Sequence, residues 1–316
     1  MSTLTSWKSE TAGAALFLFG VVVFGMGTIS CVDETTEESF PTPAVVSRGI
    51  ISATLNRYIE AGSEEPYEQF GLTGVFPRYS EDENDTVEML WDNRLADVDL
   101  ALDHCTAVSP VLDEHGRFHL PTSKRAIELL DVGDLSVSFD GSRKQIPTRT
   151  FPDLLKVVVG VIYAADETQG VVFRPGETYG VRATGTNDVE LFNVALEAPE
   201  DLGEVKIDGA TPGETVPILS KGAPIRLTWD GDGFGDEVIA TISWTSMGSP
   251  WEITCRMRDD GSFVIPANIT AQLPDPLTST DKEVSLSRIR QVVFRSKDLS
   301  NGSFRFIVST HFPIDF

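Results

Sequence analysis

The sequence predicts an all-β protein: two tandem antiparallel β-sandwich domains of immunoglobulin-like type, preceded by an apolar leader and an acidic linker. Three observations predict this class. Apolar and polar residues alternate with a period of two, turns rich in Gly, Pro and Asp recur at intervals of about 8–12 residues, and a helical period is nearly absent. Two sheets that are each apolar on one side hide those sides by packing together.

Four segments show the alternation clearly, and each is expected to form a half-buried strand with one wet face. One short helical turn is expected from Ser123 in "TSKRAIELL", ending near Gly133. The apolar positions are Leu135, Val137 and Phe139 in "DLSVSFDG"; Ile225, Leu227 and Trp229 in "PIRLTWDG"; Trp251, Ile253, Cys255 and Met257 in "WEITCRMRDDG"; and Phe304, Phe306, Val308 and Phe312 in "GSFRFIVSTHF".

Three dipeptides predict the tight turns of β-hairpins. Asp140-Gly141, Asp260-Gly261 and Asn301-Gly302 each combine a residue that tolerates positive φ with a glycine that adopts it without strain. The sequence therefore predicts hairpins centred on these pairs.

Breaks in the pattern predict four regions. Residues 1–30 form a leader, and residues 31–45 form an acidic linker that contains "SFPTP". Pro199 and the acidic residues after it interrupt the strands near the middle of the chain. We therefore expect β-sandwich domains at 46–200 and 201–316, the second close to the ~100 residues of an immunoglobulin domain.

The charge balance limits the classes of partner. Lys and Arg number 25 against 48 Asp and Glu, a formal net charge of −23. A field of this sign repels phosphate backbones and anionic lipid surfaces, so no nucleic-acid partner is expected. We favour solubility as the role of this negative charge, over recognition of a specific cationic ligand.

The N-terminal segment predicts export from the cytoplasm. Ala12–Ile29 is apolar or glycine-bearing apart from Thr28, and its length of about 18 residues is at the lower end of what spans a bilayer. A polar start with Lys8, an apolar middle and the small residue Ser30 are the parts of a secretory signal. Acidic residues follow Cys31 directly.

Thr28-Ile29-Ser30-Cys31 resembles the lipobox of bacterial lipoproteins. The resemblance implies that Cys31 receives a diacylglycerol, that the leader is cut before it, and that the new amino terminus is acylated. Several acyl chains hold a protein firmly in a bilayer, whereas one is marginal. The implied location is the bacterial cell envelope, with the outer membrane or cell surface favoured. An uncleaved transmembrane helix and a soluble secreted product remain alternatives.

The second half of the chain is similar to β-sandwich modules of uncharacterised lipoproteins from myxobacteria and their relatives. The similar stretches are "IRLTW", "ITCRMRDDGSFVIP" and the closing hairpin. The resemblance implies a β-sandwich and brings no assigned chemistry.

The stretch "WDGDGFGDE" contains the strongest candidate for a cation site. Asp230, Asp232 and Asp236 fall at positions one, three and seven of a calcium-loop register. However, Phe234 and Thr241 stand at positions five and twelve, where oxygen ligands are needed. An ordinary loop between strands is the favoured interpretation, and calcium is the alternative.

Histidines and cysteines offer weaker candidates. His115 and His119 are spaced i, i+4, and His104 could add a third ligand, but histidines in surface loops are favoured over a metal site. Cys105 and Cys255 fall in different predicted domains, and Cys255 lies on an apolar strand face. Two unpaired thiols are therefore favoured over a disulfide.

No catalytic motif is evident. The chain lacks a G-x-S-x-G nucleophile elbow, and a carboxylate pair such as Glu252 and Asp259 could be chosen only arbitrarily. Trp91, Trp229, Trp244 and Trp251 are expected in the core. The sequence therefore favours a non-enzymatic envelope lipoprotein that binds an envelope protein or a polysaccharide, with no cofactor. A polysaccharide hydrolase and a calcium-assisted adhesion module are the alternatives.

Overall fold

One large mixed sheet of eleven strands runs through most of the chain. The computed structural model describes residues 44–60, 62, 66–84, 87, 91, 100–108, 127–151, 158–232, 235–246, 249–274 and 279–316. The order across the sheet is β2-β9-β5-β3-β1-β18-β17-β14-β15-β4, with β8 paired to β9 and β2 also paired to β1. Its strands are β1 Val45–Tyr58, β2 Tyr67–Val75, β3 Pro77–Ser80, β4 His104–Val108, β5 Ile127–Leu129, β8 Thr148–Phe151, β9 Val158–Asp166, β14 Glu237–Ser246, β15 Ser249–Arg258, β17 Ser279–Ser296 and β18 Leu299–Pro313.

Two small sheets complete the all-β class that the sequence predicts. A four-stranded sheet has the order β11-β10-β6-β7, and a three-stranded sheet has the order β12-β13-β16. Their strands are β6 Leu135–Phe139, β7 Ser142–Ile146, β10 Thr178–Ala183, β11 Phe192–Glu197, β12 Lys206–Ile207, β13 Ile225–Thr228 and β16 Ser262–Ile265. The helical elements with described bounds are the 3-10 turns Glu81–Glu83 and Glu167–Gln169 and the α-helical turn Ala267–Thr270, and Asn84, Val87 and Trp91 are also helical. Among the described residues, no helix has both the length and the apolar character needed to cross a bilayer.

Each small sheet packs on the large sheet around its own hydrophobic core. The first core combines Val137 and Val181 of the four-stranded sheet with Leu72 and Phe306 of the large sheet. The second core combines residues of the three-stranded sheet and the large sheet, among them Ile225, Leu227, Val238, Cys255 and Leu286. Burying one-sided sheets against each other is the packing that the period of two predicts.

Both cores lie on the same face of the large sheet. Strand β17 contributes Val284 and Leu286 to the second core, and Val292 and Phe294 to the first. These positions are all even-numbered, so their side chains leave the strand on one side. The long strands β17 and β18 therefore continue from one core to the other, and the residues from Pro43 onward form one compact unit.

The predicted alternation holds in β6 and β13 and is incomplete elsewhere. Leu135, Val137 and Phe139 are buried in β6, as are Ile225 and Leu227 in β13, with Trp229 just beyond. In β18 the prediction of one wet face is wrong, because the face that carries Arg305, Ile307 and Ser309 is buried as well. Period alone does not reveal whether something covers the second face of a sheet.

Only one of the three predicted hairpin turns is correct. Asp140-Gly141, both with positive φ, joins the paired strands β6 and β7. Asp260-Gly261 instead joins β15 to β16, which belong to different sheets. Asn301-Gly302 lies inside β18, and the β17–β18 turn is at Lys297-Asp298, between the paired residues Ser296 and Leu299.

Close packing explains Gly302, and sheet pairing explains the segment predicted as a helical turn. A Cβ on Gly302 would come within 2.6 Å of the Phe294 ring, so the glycine makes room for a buried aromatic side chain. Of "TSKRAIELL", Ser123 lies outside the described residues and Ile127–Leu129 forms β5. Strand β5 is held between β3 and β9, because tertiary pairing overrides the local preference of such a short segment.

Candidate functional site

Two arginines of β17 lie where the two cores meet, and we call this region the seam. Arg288 and Arg290 leave the strand on the face that carries both cores, between Leu286 and Val292. The Arg288 side chain has no solvent exposure, and that of Arg290 has 11%. Two buried cations need carboxylates and carbonyl oxygens around them.

Arg288 is surrounded by acceptors from three chain segments. Its Nη1 donates to the carbonyl oxygens of Glu200 and Asp201, at 2.7 and 2.6 Å. Its Nη2 donates to the carbonyl oxygen of Asp230 and to Oδ1 of Asp259, and its Nε lies 2.7 Å from Oδ2 of Asp259. The guanidinium therefore joins the segment after β11 to two loops of the second core.

Asp259 completes this arrangement from the other side. Its side chain is 1% exposed and also accepts a hydrogen bond of 2.6 Å from Nε1 of Trp229. The backbone NH of Asp232 donates to Oδ2 at 3.3 Å. A buried carboxylate that contacts an arginine and accepts a hydrogen bond from an indole is a structural ion pair.

Arg290 binds the Asp-rich loop. Its Nη2 lies 2.5 Å from Oδ2 of Asp232 and 2.7 Å from Oδ2 of Asp236, and its Nε donates to both oxygens of Asp236. Burial raises the pKa of Asp236, the hydrogen bond and charge of Arg290 oppose this, and the nearby charges of Asp232 and Asp259 add to it. Burial works to lower the pKa of Arg290, but its carboxylate partners raise it overall.

The candidate calcium residues divide between two roles. Oxygens of Asp232, Asp236 and Asp259 lie within 4.8 Å of one another, the one such cluster among the described residues. Asp230 is not part of this cluster, and it contributes its backbone carbonyl to Arg288. Arg290 already neutralises two of these carboxylates, so the arrangement favours ion pairing with the protein's own arginines. Phe234 lies outside the described residues.

The preference for two unpaired thiols is wrong, because Cys105 and Cys255 form a disulfide. Strand β4 pairs antiparallel with β15, and the two cysteines stand directly opposite each other with Cα atoms 4.0 Å apart. Cys105 and Ala107 pack on the second core, although they precede residue 201 in the chain. A bridge between neighbouring strands brings together residues that are 150 apart in sequence.

The other candidates from the sequence do not converge on a site. Cys31 and the residues before it, together with His115 and His119, lie outside the described residues. His104 is exposed, and its Nδ1 lies 3.0 Å from the carbonyl oxygen of Leu102. Asp259 is buried in the seam, so it does not form a catalytic pair with Glu252.

The described tryptophans are not all in the core. Trp229 and Trp244 are buried as expected, whereas Trp251 is 38% exposed and stacks on Trp244. Trp91 is partly buried and packs against the small cluster around Tyr79. The alternation places Trp251 on an apolar face, but the outer end of β15 leaves that face partly uncovered.

An open cleft of about 780 Å³ is lined by Tyr58, Glu283 and His311, whose side chains alternate away from the face that carries the seam. It forms where β1 ends, β2 begins and the β17–β18 ladder reaches its outer end. Sequence reasoning missed it, because its residues come from four separate segments. The lining includes Tyr58, Glu60, Tyr67, Asp281, Lys282, Glu283 and His311.

Aromatic rings form a continuous row along this cleft. Tyr58 pairs with Tyr67 across β1 and β2, and their ring centroids are 6.1 Å apart. Tyr58 also neighbours His311 in the parallel β1–β18 ladder, where the rings stack at 4.6 Å. Nδ1 of His311 is 2.8 Å from Oε1 of Glu283, and Nε2 is 3.4 Å from Oδ1 of Asn56. The imidazole is therefore fixed from both sides.

One aromatic ring of the row faces solvent. Tyr67 is 65% exposed, among the most exposed large apolar side chains of the described residues. Exposed aromatic rings beside polar groups are typical of ligand contacts, since they offer rigid amphipathic area.

A nucleophilic catalytic triad is not found among the described residues. Both described histidines are bonded to carboxylate, amide or backbone partners, and no described serine or threonine hydroxyl is hydrogen-bonded to them. No protein-family model and no curated protein matches the chain. The functional argument therefore rests on the geometry of the cleft.

Proposed function

We propose that the protein is a lipid-anchored protein of the bacterial cell envelope that binds a saccharide chain in the cleft and does not transform it. The observation that carries the proposal is the row of Tyr67, Tyr58 and His311 across three neighbouring strands. Flat rings along an open cleft suit the faces of sugar rings, and the flanking carboxylates accept hydrogen bonds from hydroxyl groups.

The rigidity of the sheet supports binding at this place. Tyr58 and His311 belong to long strands with continuous ladders on both sides, so their backbones are fixed before a ligand arrives. Preformed sites lose less conformational entropy on association than flexible ones. An open cleft also accepts an internal part of a long chain, without needing its ends.

Binding is tested by isothermal titration calorimetry of the full chain with oligosaccharides of defined composition. Tyr67→Ala is expected to weaken binding at least tenfold, about 1.4 kcal/mol, because the exposed ring provides the contact area. The matched control is Trp251→Ala, which removes an exposed aromatic side chain outside the cleft. If Tyr67→Ala and Trp251→Ala bind alike, or no oligosaccharide binds, the proposal is refuted.

Release of shorter products during these titrations would instead favour the hydrolase alternative. The carboxylates of Glu60, Asp281 and Glu283 are the groups that could then supply acid and base. We favour binding, because Glu283 is engaged with His311 and, among the described residues, no contact fixes a second carboxylate opposite it.

The membrane anchor at Cys31 is part of the same proposal. Strand β1 begins at Val45, so the linker of residues 31–45 would separate the lipid from the folded body. Intact-mass spectrometry of the native protein is expected to show a triacylated chain beginning at Cys31. An unmodified chain that retains residues 1–30 would refute the anchor and leave the cleft untouched.

The predicted organisation into two sandwich domains, 46–200 and 201–316, also belongs here as a proposal. Two hydrophobic cores support it, because the chain passes from the first to the second between Ala198 and Leu202. Exceptions include Cys105 and Ala107, which pack on the second core, and residues of β17 and β18 from Phe294 to Val308, which belong to the first. The continuous strands β17 and β18 would then couple the two domains into a stiff ectodomain.

A further inference from the structure

We infer that the saccharide recognised by the cleft carries ammonium groups, as amino sugars do; this inference rests on the proposed function and narrows its ligand class. Three acidic side chains line the cleft beside the aromatic row: Glu60, Asp281 and Glu283. A neutral sugar requires no such excess of carboxylates.

The basic side chains of the cleft do not balance these carboxylates. Lys282 is the one lysine or arginine in the lining, and its side chain is only 13% exposed. Its Nζ donates to Asp315 at 2.6 Å and lies 5.2 Å from the centre of the Phe316 ring. Lys282 is thus paired with a carboxylate that is not one of these three, and one ammonium group stands against three carboxylates in the lining. The cleft thus has a net negative charge.

Aromatic faces beside carboxylates are suited to cations. The face of a tyrosine ring attracts an ammonium group, and a nearby carboxylate adds Coulomb attraction. Tyr67 provides an exposed face, while Glu60 and Asp281 are exposed side chains at the rim. A protonated amino sugar can stack its ring on tyrosine and direct its ammonium group to a carboxylate at once.

The same charges disfavour the other saccharide classes. An acidic polysaccharide would bring its carboxylates against those of the cleft, and the chain's formal charge of −23 repels it at longer range. An N-acetylated sugar has the same ring but no ammonium group. Comparing it with the amino sugar therefore separates the contribution of ring stacking to affinity from that of charge. The discrimination should weaken with added salt, since exposed charges are screened.

The test titrates the full chain with a glucosamine oligomer, its N-acetylated counterpart of equal length, and spermidine, at a slightly acidic pH where amines and carboxylates are both charged. The glucosamine oligomer is expected to bind at least tenfold more tightly than the N-acetylated one. Glu60→Gln/Asp281→Asn should abolish this preference. Asn tolerates the positive φ of 51° at position 281, so the backbone is preserved. The control Glu190→Gln/Glu252→Gln removes two charges outside the cleft and should keep the preference.

Each outcome separates the inference from the proposed function. Equal binding of the two oligomers, or a preference that survives Glu60→Gln/Asp281→Asn, overturns the inference and leaves a saccharide site. If spermidine binds and neither oligomer does, the ligand class is a linear amine and the proposed saccharide is wrong. No binding by any of the three overturns both.

Discussion

The buried ion pair of the seam gives the sharpest quantitative prediction, and Asp259→Asn is the change that tests it. Asparagine retains an oxygen for the indole NH of Trp229 and has nearly the same shape as aspartate. It removes the carboxylate that, among the described residues, is the one in contact with the guanidinium of Arg288. A cation with no solvent exposure is then left without a counter-charge.

The magnitude follows from what remains around Arg288. Breaking a buried ion pair by removing one partner costs about 3–5 kcal/mol. The carbonyl oxygens of Glu200, Asp201 and Asp230 still accept hydrogen bonds from Arg288 in this variant, so the lower end, about 3 kcal/mol, applies. Arg288→Met leaves Asp259 charged and leaves all three carbonyl groups without this hydrogen-bond donor. Each unsatisfied buried acceptor costs about 1–3 kcal/mol of unfolding free energy. Arg288→Met should therefore cost clearly more than Asp259→Asn.

Urea unfolding of the full chain, followed by tryptophan fluorescence, measures these differences. The matched control is Arg174→Gln, which breaks an ion pair with Asp140 whose side chains are 54% and 53% exposed. Exposed pairs contribute about 0–1 kcal/mol. If Asp259→Asn costs no more than Arg174→Gln, or costs more than Arg288→Met, the account of the seam is wrong.

Three further predictions concern other parts of the chain. The double variant Cys105→Ser/Cys255→Ser should lose up to about 5 kcal/mol of unfolding free energy, because the bridge closes a loop of some 150 residues in the unfolded chain. Urea unfolding with and without reductant measures this loss. Equal unfolding free energies for the variant and the unmodified protein would contradict the bridge. Millimolar calcium should leave the melting temperature unchanged, because an arginine already neutralises the Asp-rich loop; a rise that Asp232→Ala abolishes would restore the calcium alternative. The hydrogen bond from Lys282 lowers the pKa of Asp315 below its ordinary value, with a smaller effect from a backbone NH. The contribution of Asp315 to stability is therefore present above the unfolded-state pKa and lost as the pH falls through the folded-state pKa. Lys282→Met should raise the pKa of Asp315 in an NMR titration, and an unchanged value would contradict the Lys282–Asp315 pair.

Local patterns predicted the elements whose burial is set by one neighbouring sheet. In β6, Leu135, Val137 and Phe139 alternate with serines, and all three are buried. Asp140-Gly141 adopts the conformation that its residue types favour. In such cases the strand's own sequence contains the information that places it.

Contacts between distant segments were not predictable in this way. Cys105 is opposite Cys255 because β4 extends the edge of the sheet beside β15, a pairing that no spacing in the sequence encodes. Arg288 and Arg290 flank Ile289 as polar residues flank a buried one, yet they lie on the face of Leu286 and Val292 and are buried among acceptors. The signal that could have found them is an Arg-x-Arg pair within a long apolar strand, in an acidic chain with a separate Asp-rich loop.

The same strands carry the seam on one face and the cleft on the other. In β17, Glu283 lines the cleft and Arg288 lies in the seam five residues later. In β1, Tyr58 lies on the cleft floor, while its neighbour Arg57 points to the other face and binds Asp201 and Glu68. Ion pairs that fix the two cores against the sheet therefore also fix the strands beneath the aromatic row. A floor held in this way needs no ordering when a ligand binds, and this favours a role for the seam in presenting the cleft as well as in stability.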